Sequence, residues 1–213
     1  MSIASPPRPE PTVFVNPLSR GPVVLVAAVG EAEGSRGAAA ALACAGAEVD
    51  AAALLVDVGG RAPRPTLIAS AAAQKLEERL RAHLPEARVA ARGQVCHLAV
   101  AADGEGLDAS TAAVDVAADS LAVIHLPPWL LQGALGGSGP RPTGVLLRAD
   151  LRNDRALVAL AARDLLERGL ALGVLKHRLG WVAERRALFG ALPAGVPGGL
   201  PERLVQRLIG GRR

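Results

Sequence analysis

The chain has 213 residues, enough for one sizeable core or at most two small ones, and with half of them apolar and 21% charged its composition is globular rather than disordered. Aromatics make up only 2% and Tyr is absent, so the core must be built from Ala, Val and Leu, and a base-stacking platform for nucleic acid is disfavoured. The net charge of +4 comes almost wholly from arginines interleaved with Glu and Asp, Lys75 and Lys176 being the only lysines, so a solvated surface is expected rather than a nucleic-acid footprint.

Residues 1–21, with Pro6, Pro7, Pro9, Pro11 and Pro17, read as a flexible tail without an apolar signal core. Residues 22–190 alternate strand and helix. The Val-rich run 23–29 has the pattern of a strand buried on both faces of a parallel sheet. A Gly-rich turn leads into an Ala-rich helix over about 37–45, with Gly46 as its stop. An apolar strand over 51–58 carries Asp57 and runs into Gly59 and Gly60. Helical periodicity over 67–84 puts Lys75, Glu77, Glu78, Arg79 and Arg81 on a charged face. Short strands at 88–91 and 94–101 follow. Asp103-Gly104-Glu105-Gly106 reads as a solvated turn, too short for a calcium loop, before a weakly amphipathic helix over 108–118. A buried strand over 120–126 ends at Pro127-Pro128. A short helix or turn over 129–135 and a loop over 136–142 lead to a strand at 144–148. Asn153 caps a helix that runs to Arg168, with Leu157, Leu160, Ala161 and Leu165 on one face and Gly169 closing it. The last strand covers 170–175. This alternation implies a three-layer α/β fold, a mostly parallel sheet with helices on both faces. In it the strands at 23–29, 52–58, 120–126, 144–148 and 170–175 are expected to lie side by side.

Cys44 and Cys96 each sit in an apolar run with no second cysteine at ligand spacing, as buried thiols of a reducing compartment do. His97 adjoins Cys96 on a strand, so the two side chains point to opposite faces and do not share a metal. No His, Cys and Asp set shows ligand spacing, and no metal or cofactor is expected. The longest apolar run, 121–131, is broken by Pro127-Pro128 and contains His125, too short and too interrupted to span a bilayer. The expected location is the cytoplasm.

The turn Gly30-Glu31-Ala32-Glu33-Gly34-Ser35-Arg36-Gly37 stands where a phosphate loop stands, between a strand and a helix N-terminus. A working loop needs Gly, Lys and Ser or Thr at its sixth, seventh and eighth places; counted from Gly30 those places hold Ser35, Arg36 and Gly37. The lysine is replaced by Arg36, and the hydroxyl that would bind Mg²⁺ is absent at Gly37. Glu31 and Glu33 add like charge where phosphates would rest, roughly 4 kcal/mol per contact near a surface. The alternative is a glycine-rich turn that holds no ligand.

Around this turn the chain resembles the ParA/MinD family of P-loop ATPases over about 23–189. That family's loop, GKGGxGKT, is followed by an Ala-rich helix and by a strand ending in Asp, here Leu54-Leu55-Val56-Asp57. Its later apolar strand ends in Asp followed by Pro, here Val123-Ile124-His125-Leu126-Pro127-Pro128. The resemblance implies a P-loop-NTPase-like fold and a nucleotide cleft formed by Gly30, Gly34, Ser35, Arg36, Gly37, Asp57 and His125. It sets His125 at the Mg²⁺-side Asp, Glu31 at the signature lysine and Gly59 at a second acid. The framework persists while the chemically important positions depart from it, which implies loss of ATP hydrolysis.

Within that cleft His125 ends a central strand, where α/β folds place ligands, as a general base or as a hydrogen-bonded histidine. Ser35 and Ser138 lie in Gly-rich turns but in no G-x-S-x-G elbow, so hydrolase chemistry has no motif to support it. Trp181 reads equally as a partner anchor or as core. Residues 191–213 comprise a Pro/Gly-rich linker and a short basic amphipathic helix, with Leu204, Val205, Leu208 and Ile209 on one face and Arg207 beside it. It resembles the membrane-binding helix that ends MinD proteins; the alternative is that this face packs on the domain or on a partner. The expected function is a non-hydrolysing scaffold or regulator, not an enzyme, partnering a true ATPase in a positioning, secretion or pilus-type system. Homodimerisation and peripheral contact with the inner face of the membrane would accompany it. The alternative is an enzyme or a small-molecule or nucleotide binder that reuses the cleft.

Overall fold

A computed structural model of the chain describes residues 21–29, 34–63, 68–149 and 155–176. Its elements in chain order are β1 (Val23–Ala28), α1 (Ser35–Asp50), β2 (Ala53–Val58), α2 (Ala71–His83), β3 (Arg88–Arg92), β4 (Val95–Val100), α3 (Gly104–Val116) and β5 (Leu121–Leu126). A 3-10 turn (Pro128–Leu130), a single α turn α4 (Leu131–Gly133) and a π turn (Ala134–Ser138) follow, then β6 (Gly144–Ala149), α5 (Arg155–Glu167) and β7 (Ala171–Lys176). The seven strands form one sheet in the order β3-β4-β2-β5-β1-β6-β7. All neighbours are parallel except β3 and β4. The five strands expected to be adjacent do form an uninterrupted run, β2-β5-β1-β6-β7.

The two faces of the sheet carry different cores. Val24 and Val26 of β1, Leu55 of β2, Val123 of β5 and Leu146 of β6 pack on α1, whose residues 38–43 are all buried. Side chains that small let the helix lie close on the sheet, and burial all round is what an apolar helix without a polar face requires. On the opposite face Leu25, Val56, Ile124 and Leu147 meet Leu76 and Leu80 of α2, Leu107 and Val114 of α3, and Val158 and Leu165 of α5. The architecture is therefore a three-layer α/β fold.

Several boundaries differ from those read in the sequence. Helix α1 runs on to Asp50, through a buried Gly46 that does not stop it, and ends at Ala51 in a left-handed conformation (φ 64°). An interior Gly costs about 1 kcal/mol of helix propensity, which burial of the surrounding Ala residues outweighs. Asp103 lies in an exposed bend as expected, but its carboxylate also accepts the Gly106 N–H at 2.8 Å and caps α3, which starts four residues earlier than expected. Helix α2 begins at Ala71, where Ser70 accepts the Ala73 N–H. On its charged face Glu77 takes the Ala91 N–H at 2.8 Å and ties the helix to β3. On α5, among the described side chains, Val158 and Leu165 are buried and Ala161 partly so, an i, i+3, i+7 stripe, while Leu160, expected on that face, is 65% exposed. Cys96 is buried but Cys44 only partly so. The tail, the Asn153 cap, Trp181 and residues 191–213 lie outside the described residues. Among the described residues no helix is long and apolar enough to cross a membrane.

Ile124 is fully buried and Leu55 nearly so, each in a central strand but on opposite faces. Either one changed to Ala should lose about 2–5 kcal/mol of stability, the cost of a cavity in a close-packed core. Urea unfolding measures it, and a loss below about half a kcal/mol at both sites would contradict the two-faced core.

Candidate functional site

The site lies at the carboxyl ends of the central strands, beneath the first turn of α1. Asp57 and His125 are register partners on β2 and β5, so a parallel ladder holds them side by side. They share strand parity with Leu55 and Val123, which face α1, and so point to that helix. Helix α1 arrives over them because Gly34 turns the chain at φ 84°, ψ 13°, a left-handed conformation that glycine adopts without cost. Ser35 is then the first helical residue and Arg36 the second.

These residues form one connected polar chain. Ser35 Oγ lies 3.0 Å from His125 Nε2, and His125 Nδ1 lies 2.9 Å from Asp57 Oδ1. Arg36 Nε donates to Asp57 Oδ1 at 3.0 Å and lies 2.9 Å from Oδ2 in an ion pair, and a terminal guanidinium nitrogen of Arg36 reaches the Gly59 carbonyl at 3.4 Å. Ser35, Asp57 and His125 are buried. The Arg36 side chain is 41% exposed, so it closes the cluster on the solvent side. A Cβ on Gly60 would overlap the Asp57 carboxylate, so glycine at that position is what lets the carboxylate lie there.

Burial alone would raise the Asp57 pKa, but the hydrogen bond from His125 and the Arg36 charge outweigh it and hold the carboxyl below its ordinary value of 3.8. Asp57 is therefore a carboxylate, an acceptor only. His97, on β4, brings Nε2 to 3.9 Å from Asp57 Oδ2. Its burial penalises the imidazolium more than Asp57 favours it, so its pKa lies below the ordinary 6.5. Burial pushes both Cys44 and Cys96 up to about 12, so neither thiol ionises near neutral pH.

The structure thus brings together Gly34, Ser35, Arg36, Gly37, Asp57 and His125 from the expected set. Gly30, Glu31 and Glu33 lie outside the described residues, as do Leu204, Val205, Arg207, Leu208 and Ile209. His125 takes the hydrogen-bonded option, and more than that, because it links a hydroxyl to a carboxylate. Sequence reasoning set Ser35 aside for want of an elbow motif; here a histidine from a distant strand supplies what the motif would have signalled. It also missed His97, which the β2–β4 ladder places against Leu55, two residues before Asp57. Arg148 of β6 was missed as well: it is fully buried near the carboxyl end of its strand, and it shares strand parity with Leu146, which packs on α1. An ionisable side chain inside an otherwise apolar strand was the signal available for both. Among the described residues no group of three or more His, Cys, Asp or Glu could hold a metal ion. No protein-family model matches the chain, and no curated protein matches it significantly.

Two depressed pKa values set the acid limb of stability. A histidine whose folded pKa lies below its unfolded value contributes stability that is present above about 6.5 and is lost progressively as pH falls from there through the lower folded pKa. The depressed carboxyl of Asp57 contributes stability that is present above about 3.8 and is lost below it. His97→Gln should flatten the fall in unfolding free energy between pH 7 and 5. Asp57→Asn should flatten it below pH 4. Denaturant midpoints across pH measure both, and unchanged slopes would show that neither group titrates as placed.

Proposed function

We propose that the chain is a non-hydrolysing, ParA/MinD-like scaffold or regulatory protein that partners a true ATPase in a positioning, secretion or pilus-type system. One observation carries the loss of nucleotide chemistry. The cation that stands at the phosphate-binding lysine position, Arg36, is ion-paired to Asp57 and spans to the Gly59 carbonyl, so its charge is neutralised within the protein. A neutralised guanidinium offers little to a polyphosphate, and Gly37 offers no hydroxyl to Mg²⁺. The strand order, with His125 on β5 next to β1 and Asp57 on β2 one strand further, at the sheet's carboxyl edge, suits a relative of that family. The scaffold role itself rests on the resemblance.

Isothermal titration with ATP and ADP should show no Mg²⁺-dependent binding, and ATP turnover should be nil. Restoring Lys at 36 together with Thr at 37 should still fail while Glu31 and Glu33 remain. Turnover in the natural chain that disappears in Arg36→Ala would overturn the reading.

Residues 201–213, which the sequence reads as a basic amphipathic helix, would add a membrane contact to this proposal. Leu204, Val205, Leu208 and Ile209 would insert while Arg207 and its basic neighbours meet anionic lipid, worth about 1 kcal/mol per basic residue near the surface. Two turns bind weakly, and a homodimer would strengthen them by avidity. Full-length protein should co-sediment with anionic vesicles at low salt and lose that binding at high salt or with Leu208→Glu. Equal sedimentation of a truncation ending at Gly199 would leave the helix to a protein partner or to the domain itself.

A second reading, an enzyme that reuses the same cleft, is favoured by the unbroken hydrogen-bonded order Ser35, His125, Asp57.

A further inference from the structure

Asp57 can only accept, so the His125 Nδ1 beside it must carry the ring proton. In the neutral ring Nε2 is then a bare lone pair, and it faces the Ser35 hydroxyl at 3.0 Å. Carboxylate, imidazole and hydroxyl thus stand in the order that activates a serine, an order recognised by geometry and not by position in the chain. Asp57 is itself held by Arg36 on one side and by the β2 backbone on the other, so the ring has a fixed partner to turn against.

The surroundings supply the remaining need of such a centre. Ser35 opens a sixteen-residue helix whose first intrahelical bond runs from the Ala38 N–H to the Gly34 carbonyl. The N–H groups of Arg36 and Gly37 therefore have no acceptor within the helix, and they sit at its positive end. Donors of this kind, adjoining the nucleophile, stabilise an oxyanion. Both cysteines are excluded as nucleophiles by their raised pKa values, which leaves the Ser35 hydroxyl as the group paired to a base. Ser35 is only 8% exposed, so only a small acyl group can approach it.

We propose that Ser35 is the nucleophile of an acyl-transfer centre for small acyl groups carried as esters or thioesters, with His125 as its base and Asp57 as the positioning residue. Ser35 Oγ bonds to the carbonyl carbon while its proton passes to His125 Nε2, and the carbonyl electron pair moves onto oxygen, towards the first-turn N–H groups. As the oxyanion collapses, the bond from carbon to the alcohol or thiol breaks, and His125 returns the proton to that leaving group. Water then repeats the sequence: its oxygen bonds to the acyl carbon, its proton passes through Nε2, and Ser35 leaves as the hydroxyl with release of a carboxylic acid. The centre does not depend on the fate of nucleotide binding. ATP binding would overturn the scaffold reading and leave this proposal standing, whereas an unreactive Ser35 would do the reverse.

The full chain should be treated with diisopropyl fluorophosphate, which forms an Oγ–phosphorus bond with loss of fluoride, and the intact mass and the modified peptide should be read by mass spectrometry. One adduct on Ser35 is expected, together with hydrolysis of p-nitrophenyl acetate that the adduct abolishes. Ser35→Ala should remove the adduct. His125→Asn should slow labelling at least ~100-fold, the usual scale for loss of a general base. Asp57→Asn should also slow it and shift its pH profile, and Asp57→Glu should restore part of the rate, which a merely structural carboxylate would not do. Circular dichroism and the unfolding midpoint establish that each variant is folded. A folded natural chain that is neither labelled at Ser35 nor acetylated there by p-nitrophenyl acetate overturns the proposal, and so does ester hydrolysis that persists in folded Ser35→Ala.

Discussion

A carboxylate buried at the junction of β2, β5 and α1 must be satisfied there, because an isolated ion taken out of water costs several kcal/mol even after relaxation. Asp57 meets that demand with the Arg36 guanidinium above it and the His125 ring beside it. Each partner comes from a different element, so the carboxylate joins the helix that follows β1 to two strands that are distant in sequence. Removing Arg36 would leave the charge uncompensated at the centre of the sheet's carboxyl edge, and removing His125 would strip the carboxylate of a buried hydrogen bond. The geometry around it follows from that constraint: glycine at position 60 to clear the carboxylate, glycine at 34 to bring the helix over it, and Ser35 carried to the far nitrogen of the ring.

The Ala-rich helix is the second half of the same arrangement. Arg36 and Ser35 reach Asp57 and His125 because α1 lies close on the sheet, and it does so because its buried residues, Leu42 apart, are small. Larger side chains at 38–43 would lift the helix and separate the hydroxyl from the imidazole. The core on this face therefore sets the distances in the site, and a packing change there would be felt in the polar chain. The opposite face, built on α2, α3 and α5, supports the strands without entering the site.

Scaffold and acyl-transfer readings share this one structural fact and differ in what it leaves free. The Arg36–Asp57 pair neutralises the charge that a nucleotide would need, whereas the Ser35–His125 contact keeps a hydroxyl beside a ring nitrogen. A phosphate loop and an activated serine use the same place in an α/β fold, the turn from a strand into a helix N-terminus at the carboxyl edge, because that is where backbone donors and strand-end side chains converge. Loss of one chemistry at such a place does not remove the geometry that serves another.

The α/β class, the run of five adjacent strands and the positions of Asp57 and His125 at strand ends were legible in the amino-acid sequence. Val- and Leu-rich runs of strand length are the pattern of strands buried on both faces, and Gly-rich turns mark where such strands end. Helix ends were read less well: Gly46 sits inside α1 and Asp103 caps α3, since burial and a single cap bond override local propensity. The partnership of Ser35, His125, Asp57 and His97 was not legible, because the residues lie up to 90 positions apart and meet only through strand order. Whether a serine adjoins a histidine depends on which strand lies next to which, and a one-residue slip in register would turn His125 to the opposite face. The sequence by itself thus determined the layers and the residues at the edge; tertiary structure alone decided which of them touch, because contact across a sheet is set by pairing and register rather than by spacing along the chain.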